Sequence, residues 1–248
     1  MFFIVFSGDK VKISGIYNTG EITERANIFD RNGTLVATDL KTKSLYVSSI
    51  LVKDPGAIAT AVSKIFPDLT YKEVVRKIRN GRGNQGWILI KRNLTPDQSQ
   101  QVKDLKIAGL LFEDDRVRVY PQKSITSHLV GYVDLDRKGL SGMENQYNKQ
   151  LAKGKDDLHL AMDIRIQDIL NDELNKGMKE FKSQAASGII MDVTNGEILA
   201  LSSLPNFDAN MQQDASSNQR FNRVANGIYE LGSIFKVFTN ALAFEENL

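Results

Sequence analysis

Apolar positions along this chain change period several times, and the changes mark its elements. Arg25-Ala-Asn-Ile-Phe-Asp-Arg-Asn-Gly33 reads as a strand ending at an Asn-Gly turn, and Thr34-Leu-Val-Ala37 starts the returning strand. Residues 43–49 alternate as a further strand. Behind Asp54-Pro55, where proline suits a first helical turn, Ile58, Ala61, Val62 and Ile65 recur at helical spacing until Phe66-Pro67 stops them. A second helix starts at Thr70 with Val74, Val75 and Ile78 inward. Its closing Arg76, Lys77 and Arg79 suit the negative helix end and read as a solvated terminus. Trp87-Ile-Leu-Ile-Lys91 is strand-like, and Thr95-Pro-Asp-Gln98 supplies the cap, proline and capping-box residue of a helix reaching about Leu105. Residues 112–120 read as a charged, half-exposed strand, 128–133 as a short apolar segment and 143–151 as a helix.

Small and charged residues at 152–157 mark a candidate domain boundary, after which 158–162 alternate as a strand. Residues 164–181 place Ile166, Ile169, Leu170, Leu174 and Met178 on one helical face. Residues 186–192 and 197–202 flank Val193-Thr-Asn-Gly196, a hairpin signal. A polar segment at 205–219 then leads to Glu230-Leu-Gly-Ser-Ile-Phe-Lys-Val-Phe-Thr239, the start of an apolar run through Leu242 and Phe244.

Composition narrows the chemistry. A hydrophobic fraction of 42% and a charged fraction of 25% over 248 residues suit one large or two ordinary folded domains. With 32 basic and 30 acidic residues there is no general pull toward nucleic acid. The absence of cysteine excludes disulfides and thiolate sites, and two histidines, His128 and His159, leave little for a histidine triad or a metal centre. His128 reads as a packed or hydrogen-bonded side chain rather than a ligand. Met1-Phe-Phe-Ile-Val-Phe6 is too short to cross a bilayer and reads either as a first strand or as the stump of a membrane anchor. Gly81-Arg-Gly-Asn-Gln-Gly86 matches G-x-G-x-x-G but follows a helix and leads into a strand, so it reads as a loop and not a phosphate cradle.

Ser233 and Lys236 are the candidate chemistry. Three residues apart at a helix start, they share a face, so the amine can approach the hydroxyl. A lysine held among Ile234, Phe235, Val237 and Phe238 would lose hydration and with it affinity for its proton, which suits a base for the serine. The helix N-terminus offers N–H groups to an oxyanion, and Gly232 permits the tight turn. S-x-x-K fixes only two positions, and Ser7-Gly-Asp-Lys10 also fits; taken alone, Ser233 reads as a helix N-cap before it reads as a nucleophile.

In order and spacing these segments resemble a class B penicillin-binding protein of the septal, cell-division FtsI type. The resemblance rests on Arg25 to Gly33, Tyr120-Pro121, His128-Leu-Val-Gly131, Gly139-Leu-Ser-Gly-Met-Glu144, Asp192-Val-Thr-Asn-Gly-Glu197, Arg220-Phe-Asn-Arg223 and Glu230 to Lys236. It implies an α+β fold: a mixed α/β pedestal of the dimerisation type, then the truncated start of a serine beta-lactamase/transpeptidase-like domain. The expected divisions are 1–24 as juxtamembrane stump and connector, 25–155 as pedestal and 156–248 as incomplete transpeptidase domain. It further implies Ser233 as nucleophile and Lys236 as base, acyl-serine chemistry on peptidoglycan stem peptides, penicillin binding, no metal or cofactor, divisome membrane partners, and an inner-membrane-anchored, periplasmic parent. Leu231 and Ala26 depart from a common proline and glycine. The family's S-x-N and K-T-G motifs are expected beyond residue 248, which would leave this chain inactive alone. A non-catalytic divisome scaffold is the alternative.

Overall fold

The Asn32-Gly33 turn folds as its sequence predicts. In the computed structural model, which describes residues 23–81 and 86–246, β1 (Ile28–Phe29) and β2 (Leu35–Ser48) run antiparallel across it, with Gly33 at φ +80°. Asp30 closes the turn by accepting the N–H groups of Thr34 at 2.7 Å, Asn32 at 2.9 Å and Ile164 at 3.2 Å. The expectations for Met1 to Phe6, for Ser7-Lys10 and for most of the Gly81–Gly86 loop lie outside the described residues.

Two compact units divide the chain, Leu40–Val117 in one and Arg25–Asp39 with the residues from Arg118 onward in the other. β2 contributes to both. It is one strand of 14 residues where the sequence suggested two. The polar residues between its apolar ends lose the alternation but keep the backbone ladder, and Lys43 still pairs in register with Leu94.

In the first unit, β2 meets β3 (Trp87–Leu94) and β4 (Leu110–Val119), and helices α1 (Pro55–Ile65), α2 (Tyr71–Gly81) and α3 (Pro96–Asp104) complete it. Asp54 caps α1, and Thr95 with Gln98 forms the expected capping box on α3. Leu45, Val47, Ile58, Val62, Phe66 and Ile78 are fully or almost fully buried in its core.

The second unit carries α4 (Ser127–Val130), α5 (Gly142–Gln146), α6 (Asn148–Leu151), β5 (Leu158–His159), α7 (Ile164–Glu180), β6 (Ala186–Met191) and β7 (Ile198–Leu204). The helix expected over 143–151 is broken at Tyr147, whose φ and ψ of −100° and 20° are not helical. β5 is shorter than the expected strand; it pairs in parallel with β1, and Ile28, Val36, Val130, Leu151 and Met162 meet in the core beside it.

What the periodicity missed is polar. Glu144 is fully buried and takes the Nε of Arg25 on one carboxylate oxygen and the Nε of Arg118 on the other, both at 2.7 Å. Asp39 accepts Arg118 Nη1 at 3.3 Å, Arg137 Nη1 at 2.9 Å and the Arg25 backbone N–H at 2.9 Å. Asn148 takes Arg25 Nη1 and the N–H of Gly139, each at 2.9 Å. Residues far apart in sequence are thus tied by charges that must stay paired once removed from water.

α7 shows the same deviation. Ile169, expected inward, is 61% exposed, and the buried positions are Gln167 and Asn171. The Gln167 amide donates to Ile125 O at 2.9 Å and Leu201 O at 2.8 Å and accepts the Leu201 N–H at 2.9 Å, so it stitches α7 to β7. Gln167→Leu keeps the bulk but strands three backbone groups. It is expected to cost about 1–3 kcal/mol, read as a lower urea midpoint.

Acid should loosen the same unit. Burial works to raise the Asp30 pKa, but the N–H groups of Thr34, Ile164 and Asn32 outweigh it and hold the carboxyl below its ordinary value. The Arg165 guanidinium, aided by Asn32, holds Asp163, the cap of α7, well below the carboxylate range. Carboxyls whose folded pKa is depressed stabilise the fold above the unfolded value near about 4, and that contribution disappears as pH falls through the folded value. Urea midpoints are expected to drop from about pH 5 to about pH 3, and Asp30→Asn should flatten that slope.

Candidate functional site

The candidate site is reached through a tightly bonded polar segment. Beyond β7, a 3-10 turn at Ala209–Asp214 precedes α8 (Ser217–Arg220) and α9 (Arg223–Asn226). Ser216 and Gln219 form a capping box on α8, and the Asn222 side-chain Oδ1 accepts the N–H groups of Val224 and Ala225 at the start of α9. Asn222 Nδ2 also donates to His128 O at 3.3 Å, and His128 Nε2 lies 2.8 Å from Gln219 O. The His128 ring packs edge-on against Phe207, and its burial lowers its pKa. His128 therefore fixes the approach segment, in the packed and hydrogen-bonded role its sequence suggested.

Arg223 is buried, donates its backbone N–H to Ser203 Oγ at 3.0 Å and pairs with the Asn218 side chain. Ser216-Ser217-Asn218 in this segment is a literal S-x-N, but not at the position expected of the family's motif. It precedes Ser233, and its Ser216 and Asn218 are engaged in capping α8 and holding Arg223. A cavity of about 310 Å³ opens beside this segment, lined in part by Ser127, His128, Phe207, Arg220 and Asn222; Ser233 and Lys236 do not line it.

Ser233 sits in a 3-10 turn, Gly232–Phe235, and Lys236 is the first residue of α10 (Lys236–Glu245). Gly232 enters the turn at φ +53°, a left-handed conformation that favours glycine. The N-cap positions of the turn and the helix fall on Leu231 and Phe235, so Ser233 caps neither. Its hydroxyl is exposed, and no side-chain hydrogen bond of Ser233 or Lys236 is present among the described residues.

The apolar pocket expected around Lys236 is not formed by the described residues. Phe235 is 58% exposed and Val237 66%, and Phe235 packs against Phe238, one turn on, at 5.4 Å between ring centroids. Helix and turn meet mainly each other, so the lysine keeps its water. The two residues fall at one helix start, but among the described residues no hydrogen bond joins the hydroxyl to the amine, and the described residues do not dehydrate the amine.

Comparison with known proteins identifies both halves. The family model described as penicillin-binding protein dimerisation domain matches residues 21–167, and that described as penicillin binding protein transpeptidase domain matches 186–248. The chain is 34% identical over 235 residues to a probable peptidoglycan D,D-transpeptidase FtsI of Caulobacter vibrioides, covering 93% of this chain and 39% of that protein. It is 25% identical to the peptidoglycan D,D-transpeptidase FtsI of Escherichia coli K12, covering 86% and 41%. The chain thus spans about two fifths of the curated relatives it matches. Among solved structures, the complex between penicillin-binding protein PBP2 and MreC from Helicobacter pylori aligns with a TM-score of 0.69 at 24% identity, over 92% of this chain and 52% of that one, a likeness of fold.

Proposed function

This chain belongs to the penicillin-binding protein dimerisation-domain family, and from that premise we propose that it is the pedestal and the opening part of the catalytic domain of a septal peptidoglycan D,D-transpeptidase. Residues 25–155 are assigned to the pedestal and 156–248 to the transpeptidase start. The observation that carries the catalytic part is Ser233 on a positive-φ turn with Lys236 at the first residue of the following helix, inside the stretch matched by the transpeptidase model.

In this reading the Lys236 amine takes the proton of Ser233 Oγ as that oxygen attacks the D-Ala-D-Ala carbonyl of a stem peptide. The terminal D-Ala leaves, and an amine of a neighbouring stem releases the acyl group as a cross-link. Beta-lactams acylate the same oxygen and stay. Lys236 is exposed among the described residues, and the chain is expected not to turn over by itself.

The test uses fluorescent penicillin. The isolated chain is expected to remain unlabelled; a chimera in which it replaces the matched stretch of the Caulobacter relative is expected to label, and Ser233→Ala in that chimera to abolish the label. Labelling that survives Ser233→Ala would overturn the assignment of the nucleophile.

A scaffold reading draws on the first unit, which has its own buried core and needs no catalytic residue. The partner to seek is a membrane division protein, which the resemblance to the septal type implies; a solved structure of the same fold was determined in complex with another protein, MreC. Capture of such a protein by the chain carrying Ser233→Ala would support it.

A further inference from the structure

The turn that closes β2 holds aliphatic side chains out of the core. Residues 50–52 read Ile-Leu-Val, yet only Val52 enters the core of its unit, at 5% exposure, while Ile50 is 74% exposed and Leu51 54%. The turn is tightly bonded. Ser48 Oγ accepts the N–H groups of Ile50 at 3.3 Å and Leu51 at 3.2 Å, and Ser48 O accepts that of Val52 at 3.3 Å. Gly109 lies against the Leu51 Cβ and takes the Ser48 N–H on its carbonyl at 2.8 Å, and the Ser49 N–H reaches Gly86 O at 3.0 Å. Ile50 and Leu51 are thereby presented to solvent on a fixed backbone.

The same end of this unit is cationic. Lys53 follows the turn, Lys106 stands in the connection that carries Gly109, and Arg79 lies in the last turn of α2, whose closing Gly81 abuts Ile88 of β3 beside Trp87. Trp87 in turn pairs in register with Ser48. All three cations are exposed, and none is held in an ion pair among the described residues. The carboxylates next to them in sequence are engaged elsewhere: Asp54 accepts the Gly56 N–H at the start of α1, and Asp104 accepts the Gln100 amide. The bias runs through the unit, since residues 40–117 hold 14 of the chain's 32 basic residues but only 8 of its 30 acidic ones.

Two aliphatic side chains on an exposed turn offer far less than the roughly 800 Å² per partner of a stable protein interface. A protein would also have to supply a matching pocket. A lipid interface closes around a protruding turn without shape complementarity, and anionic headgroups attract cations set at its base. We propose that the turn at residues 49–52, with Lys53, Arg79 and Lys106, is a peripheral docking site for a membrane surface rich in anionic phospholipid. This site needs neither Ser233 nor acylation chemistry.

The test mixes vesicles with the full 248-residue chain and uses Trp87, its only tryptophan, as reporter. Vesicles containing phosphatidylglycerol are expected to shift its emission to the blue and to carry the chain in flotation. Phosphatidylcholine vesicles should do neither, and about 0.5 M salt should weaken the binding. Ile50→Asp combined with Leu51→Asp, both at exposed positions that the fold does not need, is expected to lower binding roughly 10-fold or more. Phe238→Asp, at an exposed aromatic of α10, should leave it unchanged. Flotation lost with Phe238→Asp but kept in the Ile50/Leu51 variant would trace adsorption to α10 and overturn the proposal. Equal flotation on phosphatidylcholine, or none on either vesicle, would overturn it too. Retention of the chain on immobilised polyglutamate without vesicle binding would assign the surface to an acidic polypeptide instead.

Discussion

Replacing Glu144 with alanine is expected to destabilise the unit built on residues 25–39 and 118 onward by about 3–5 kcal/mol in urea titration, a large share of a typical domain's stability. The Arg25 and Arg118 side chains are only 2% and 1% exposed, and each gives its Nε to Glu144. Without that carboxylate, Asp39 is left to pair with Arg118 and Arg137, and the Arg25 guanidinium keeps only Asn148 and backbone oxygens. The loss comes from stranding charge, not from deleting a bond. Arg118→Met placed on top of Glu144→Ala should therefore recover part of it, and a double mutant no more stable than the single one would contradict the account.

Gly131→Ala is expected to be comparably severe for a different reason. A Cβ there would stand 2.0 Å from Ser141 O, and Gly131 has φ +78°. The atoms met are all backbone of the Ser141–Gly142 peptide, with Ser141 C at 2.3 Å and Gly142 N at 2.8 Å, so no flexible side chain can give way. A loss of about 4 kcal/mol or more is expected, in the range reserved for severe core damage. Gly33→Ala is the control: φ is +80° but nothing lies within 4 Å of the added carbon, so backbone strain alone should cost about 1–2 kcal/mol. Equal losses at the two positions in denaturant titration would remove the steric argument.

The elements legible in the sequence are those whose signal is local. Asp54-Pro55, Thr95-Pro96 with Gln98, and the Asn-Gly pairs at 32–33 and 195–196 mark their helices and hairpins because the group that caps or turns the chain lies within a few residues. Family membership was likewise legible, from several short motifs in fixed order. What pattern could not show is where a polar side chain goes when its partner is distant. Arg25 and Glu144 stood in two of the motifs that carry the resemblance, yet 119 residues separate them, and periodicity carries no information across that span. Gln167 and Asn171 were passed over because amphipathic reasoning assigns the core to apolar positions, so Ile169 took their place.

For the candidate site, spacing placed Ser233 and Lys236 correctly at a helix start. It could not report their surroundings. An apolar sequence around a lysine shows that burial would be favourable, and only packed neighbours provide it; the described residues leave Phe235 and Val237 in solvent.

Residues 40–117 stand in sequence between Asp39 and Arg118, and their core is built from contiguous chain, so that unit can close through local contacts alone. Arg25 instead finds Glu144 and Asn148 more than a hundred residues further on, so the charge network of the outer unit carries the larger loop-closure cost, and its formation is expected to be the slower step of refolding.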